Sequence, residues 1–178
     1  MIRLGPLTRT AVFLLGTAVF SGACSSDSDP LTLEEYFAEF EAIDADVNSQ
    51  FEALFADFPE DEDAFADEAN LELFKDLLDG FPRITGDWVD RAKDLDPPAE
   101  VEDAHNDLID AGEALLVAHE ERAEVMGDAE TMAELETISR EVDPSTTVAE
   151  AARDAACLAV VDIAVANDID VSITCAGE

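Results

Sequence analysis

From Leu31 onward, apolar residues recur at intervals of three and four, the period of one face of an α-helix. In LTLEEYFAEFEAIDADVNSQFEALFADF the series is Leu33, Tyr36, Phe40, Ile43, Val47, Leu54 and Phe58, with Phe51 substituting beside Gln50. Thr32 and Glu35 form a Thr-x-x-Glu capping box just ahead of it, so the pattern predicts a first helix over 32–57. Pro59 and the acidic run at 60–63 make the turn. Phe74, Leu77, Phe81, Ile84, Trp88 and Leu95 then hold one phase across Gly80 and Pro82. A chain reversal would reset that phase, which predicts one helix over 63–95 kinked at Pro82; the alternative is two shorter helices joined near Gly80.

Asp96-Pro97-Pro98 stops that helix and starts the next, because proline suits a first helical turn. The third series is Val101, His105, Leu108, Gly112, Leu115, His119, Arg122 and Met126, ended by Gly127 and Asp128. MAELETISREV, residues 132–142, predicts a shorter helix, and Asp143-Pro144-Ser145 is expected to break it from a last helix over 147–167. Ala151, Ala152, Ala155 and Ala159 offer that last helix a face for close packing. IDVSITC, residues 169–175, alternates apolar and polar positions and reads as an extended tail or a lone strand. No strand series supports a sheet. The expected fold is all-α: an antiparallel four-helix-type bundle over 31–178 with a short extended C-terminal tail tied by a disulfide.

The first 23 residues follow a different pattern. Arg3 and Arg9 precede an apolar run from Ala11 to Phe20, and Ser21, Gly22 and Ala23 follow it. This is the order of a secretory signal peptide, and about ten apolar residues are too few for a spanning helix of about twenty. Small residues ahead of Cys24 resemble the bacterial lipobox, in which the cysteine is diacylated and becomes the new N-terminus. Ser21 stands where that pattern prefers Leu, Val or Ile, and Ser21 with Ala23 also suits an ordinary signal peptidase. Residues 24–30 are then a lipidated cysteine and its polar tether, the product being held at the outer side of the membrane; the alternative is a secreted soluble protein.

Three cysteines leave one over once a pair is made. Cys157 and Cys175 lie 18 residues apart. Helix from Cys157 to Asn167 rises about 15 Å, and eight extended residues reach about 26 Å, enough to return. A bridge between these two, with lipid on Cys24, uses every sulfur; the alternative is two separate thiols, Cys157 being a small core residue.

Charge narrows the partners. The chain has 44 Asp plus Glu against 9 Lys plus Arg, a net of −35. Arg3 and Arg9 are lost with the signal and no carboxylate is, so a product starting at Cys24 carries 7 cations and 44 anions, net −37. Such a field repels nucleic acid and anionic headgroups and attracts cations or basic proteins. It also fits plain salt tolerance, as does the presence of only Lys75 and Lys93.

Chemistry-bearing motifs are few. His105 and His119 share the third helical seam but stand fourteen residues apart, about 21 Å, too far for one metal ion. Glu102-x-x-His105 matches half of a di-iron bundle's ligand set, yet Leu116 takes the glutamate's place before His119. No metal or cofactor is expected. Residues 59–68 lack the spacing and glycine of a calcium loop. Ser139, Ser145 and Ser172 have no glycine elbow, and no phosphate-binding loop exists, so no catalytic constellation emerges. Glu102, His105, His119 and Arg122 remain as a candidate ligand site or polar seam.

The lipobox-like start, LTLEEYF opening a long helix, LDPPAEVEDAHNDLIDAGEAL, and the closing ACLAV with DIDVSITC resemble uncharacterised secreted helical lipoproteins of actinobacterial type. That resemblance implies the bundle, the tail bridge and an envelope location, and no particular chemistry. The expected function is a non-catalytic, envelope-anchored binding or scaffold module whose partner is a basic protein or an envelope component. The alternative is a sensor-like bundle that binds a small molecule or cation.

Overall fold

The computed structural model describes residues 30–56, 58 and 67–175. Cys24 with its signal and tether, and the acidic turn at 59–66, lie outside the described residues. Among the described residues four helices make up the fold: α1 (Leu33–Phe55), α2 (Leu71–Lys93), α3 (Glu102–Gly127) and α4 (Met132–Ala166), with a 3₁₀ turn at Glu68–Asn70 leading into α2. Successive helices pack on one another, α1 on α2, α2 on α3 and α3 on α4, so the all-α bundle read from the periodicity is the observed architecture.

Local chemistry sets the helix ends. Thr32 caps α1 through the expected box: its hydroxyl accepts from the Glu35 N–H, and the Glu35 carboxylate accepts from the Thr32 N–H. Bonds to Glu35's carboxylate stabilise its charged form, so its pKa falls. Thr131 caps α4, its hydroxyl accepting from the Glu134 N–H. At the other end of α4, Asp168 adopts φ 57°, the left-handed turn that closes a helix. The N–H of Ile169 then reaches the Ala164 carbonyl and the N–H of Asp168 the Val165 carbonyl, and the chain turns back toward α1.

Two prolines lie inside helices. α2 runs through Pro82 as a single helix, excluding the division at Gly80. The break expected at Asp143-Pro144-Ser145 is absent: α4 is continuous for 35 residues, about 52 Å. An internal proline costs its own N–H bond, but Pro144 is exposed and its neighbours hold the turn together. The Ser145 hydroxyl donates to the Val142 carbonyl at 2.7 Å and the Ser139 hydroxyl to Asp143 at 2.8 Å, while Arg122 of α3 pairs with Asp143.

α1, with 23 residues, is shorter than α4 and covers only part of it. At one end all four helices meet, and Tyr36, Phe37, Phe40, Leu108, Val160 and Ala164 form the main core. At the other end α2, α3 and α4 close on Phe74, Leu78, Met126, Met132 and Leu135. A third cluster, Ile43, Val47 and Ile84, joins α1 to α2. The alanine face of α4 is a second correction: Ala151, Ala152, Ala155 and Ala159 are exposed, and Thr146, Cys157, Val160 and Ala164 are buried instead. Larger side chains bury more apolar area than alanine and set the rotation of the helix.

Cys157 and Cys175 are bonded, with Cα atoms 5.3 Å apart. The tail from Asp168 to Cys175 contains no strand; it lies over α1, where the N–H groups of Ser172 and Thr174 donate to Glu41 and Asp44. Such a bridge belongs to an oxidising, extracytoplasmic compartment. No helix among the described residues is long and apolar enough to cross a membrane.

Candidate functional site

Between the two end cores the four helices stand apart around a cavity of about 450 Å³. α1 contributes Asp44, Val47 and Phe51; α2 contributes Phe81, Thr85 and Trp88; α3 contributes Gly112, Leu115 and His119; α4 contributes Arg153 and Asp154, and Thr174 of the tail closes one side. The seam of α2 explains the opening. Phe81 and Trp88 occupy seam positions by spacing and pack on α1 and α3, yet both are only half-buried, because part of each ring lines the cavity. Gly112 allows the Trp88 ring against α3: a Cβ there would come within 2.5 Å of that ring.

His119 is 5% exposed and lines this cavity. Its ring lies against Phe81, with centroids 5.3 Å apart. Burial, then the positive charges of Arg122 and Arg153, push its pKa down to about 4, so it is a neutral imidazole at physiological pH. Asp44 is 9% exposed, and its Oδ2 accepts from the Asn48 amide at 3.1 Å and the Thr174 N–H at 3.2 Å. Desolvation raises its pKa against the opposing pull of those two bonds and of Arg153. Arg153 Nη2 lies 3.0 Å from Asp154 Oδ1 in a contact not aligned as a hydrogen bond, and Arg153 Nε is buried without a partner. These are desolvated polar groups with unused hydrogen-bonding capacity, which a bound molecule can satisfy.

The four candidates named from the sequence are not brought together. Glu102 is exposed in the first turn of α3. His105 is buried in the main core, Nδ1 lying 3.0 Å from the Tyr36 hydroxyl. Arg122 pairs with Asp143 at 3.1 Å and lines a second cavity, of about 520 Å³, between α2, α3 and α4. Only His119 reaches the central cavity. Among the described residues, no group of three or more His, Cys, Asp or Glu is arranged to hold a metal ion.

Sequence reasoning missed Asp44, Thr85, Arg153 and Asp154. A signal existed for the first two. Asp44 stands four residues after Phe40 and three before Val47, and Thr85 four after Phe81 and three before Trp88, so each is a polar residue on an otherwise apolar seam. Comparison with protein families, with curated proteins and with solved structures finds no match to this chain.

Proposed function

We propose that this chain is an exported, lipid-anchored binding protein, held to the membrane through Cys24, whose central cavity takes a small organic ligand without catalysing its conversion. The reading rests on one observation above the others: a cavity of ligand size is lined by the buried His119 ring and by Arg153 Nε and Asp154 Oδ1, buried atoms without a hydrogen-bonding partner. Export has separate support in the signal-like pattern of residues 1–23 and in the Cys157–Cys175 bond.

Native mass spectrometry of protein taken gently from the envelope tests the binding half. One small molecule per chain is expected, and it should be lost from a Leu115→Trp variant that fills the cavity. A bare chain mass in every preparation would remove this reading. Labelling with palmitate, abolished in Cys24→Ser, tests the anchor.

A second reading, a scaffold for another envelope component, is favoured by the outer face of α4, where Val148, Leu158 and Val165 are 71%, 52% and 66% exposed. Crosslinking from α4 in intact cells distinguishes it, because a scaffold captures a protein there whether or not the cavity is filled.

A further inference from the structure

Resting on the reading of the central cavity as a ligand site, we infer that its ligand is an organic ammonium ion, an amine carried on an aliphatic or aromatic body. Against one unpartnered buried donor, Arg153 Nε, the lining offers more acceptors. Asp44 Oδ2 is occupied by Asn48 and Thr174, while Oδ1 accepts no hydrogen bond from a described residue. Asp154 Oδ1 is buried without an aligned donor. The neutral His119 ring carries one bare nitrogen beside its one N–H, and the Thr85 hydroxyl can also accept. An ammonium group is donor-only and matches that set.

Charge points the same way. Asp44, Glu150 and Asp154 line the cavity against one cation, Arg153, which already faces Asp154. An anionic ligand would enter against that excess and against the charge of the whole chain, whereas a cation is drawn in by both. A cation beside Asp44 also offsets the cost of keeping that carboxylate out of water. Phe51, Phe81 and Trp88 supply the rest of the wall, apolar area for the body of the amine and ring faces for its charge. A bare metal ion does not fit, since the carboxylates are spread over the wall rather than gathered on one point. The ligand is therefore a cation with a body.

Trp88 is the chain's one tryptophan, so its emission reports events inside this cavity and not on the acidic surface. The lipid-free mature chain is titrated with phenethylamine, with 2-phenylethanol as the neutral counterpart and with 3-phenylpropionate as the anion, following Trp88 emission and heat. The amine is expected to bind one per chain, at least tenfold tighter than the alcohol, and the anion not at all. Asp44→Asn and, independently, Asp154→Asn should each weaken the amine by about tenfold and leave the alcohol unchanged; circular dichroism confirms that both variants fold. Equal binding of amine and alcohol, unaffected by either substitution, overturns the ammonium assignment while leaving a ligand cavity. Failure of all three compounds to perturb Trp88 overturns the cavity as a ligand site as well.

Discussion

The Tyr36 hydroxyl lies 3.0 Å from His105 Nδ1, joining α1 to α3 across 69 residues of chain inside the main core. Burial drives both groups toward their neutral forms, raising the tyrosine's pKa well above its ordinary value and lowering the histidine's. The pair is thus one neutral hydrogen bond in an apolar setting, edge-on between the rings and flanked by Phe37 and Phe40. Tyr36→Phe keeps the ring and strands the imidazole nitrogen, which should lower stability by about 1–2 kcal/mol. In a double-mutant cycle with His105→Leu the second substitution should cost less than it does alone, with a coupling on the order of 1 kcal/mol. Additive losses in urea unfolding would mean that the bond contributes nothing.

His119 gives the fold a pH dependence of definite sign. Its proton is taken up at about pH 6.5 when the chain is unfolded and only near pH 4 when folded. The unfolded chain therefore binds more protons between those values, and stability falls as pH drops through that window and is level above it. Arg122 and Arg153 face this ring and add to the effect; Asp44, whose pKa is raised, works in the opposite sense at lower pH. Comparison with His119→Phe isolates the contribution: the wild type should lose up to about 3 kcal/mol relative to the variant between pH 6.5 and 4. Parallel stability curves for the two proteins would show that the imidazole is not desolvated.

Two helix glycines should respond oppositely to alanine. At Gly80 the added Cβ meets the tip of the Leu54 side chain, 2.5 Å away, which can turn aside at the half-buried edge of α1. Gly80→Ala should therefore be close to neutral, or stabilising by up to about 1 kcal/mol from helix propensity. At Gly112 the Cβ would lie 2.5 Å from the Trp88 ring and 3.2 Å from Val89 Cγ2, and a packed indole cannot swing away as cheaply. Overpacking of this kind costs about 1–3 kcal/mol, which outweighs the propensity gain. Gly112→Ala should lower the melting temperature and shift Trp88 emission as the ring is pushed into the cavity.

Periodicity carried the architecture because burial in a bundle is a property of spacing. Tyr36, Phe40, Ile43 and Val47 of α1, and His105, Leu108, Gly112, Leu115 and His119 of α3, are buried where the three-four pattern places them. The pattern told less where a seam residue meets its neighbours only in part. Phe81 and Trp88 keep the α2 phase and line an opening, and a gap between helices leaves no mark in spacing. It failed at Asp143-Pro144-Ser145, where the bonds from Ser139 and Ser145 and the ion pair from Arg122 sustain a helix that local propensity would end. Arg153 and Asp154 were illegible for a related reason: which side of an alanine-rich helix turns inward was decided by Thr146, Cys157 and Val160.

The Cys157–Cys175 bond should matter to the cavity as well as to the fold. Thr174, which closes one side of the cavity and donates to Asp44, is the neighbour of the bonded Cys175. The bridge closes a loop of 18 residues, worth about 3 kcal/mol in unfolded-state entropy. Cys157→Ser with Cys175→Ser should lower stability by that order and free the tail, since the bonds from Ser172 and Thr174 are its remaining ties to α1 carboxylates. Hydrogen exchange locates the loss: the Thr174 amide should lose protection while Leu108 and Val160 in the main core keep theirs at moderate denaturant. If Thr174 stays protected without the bridge, the carboxylates of α1 and the packing of Ile169, Val171 and Ile173 on the main core hold the tail, and the disulfide acts only on the unfolded chain.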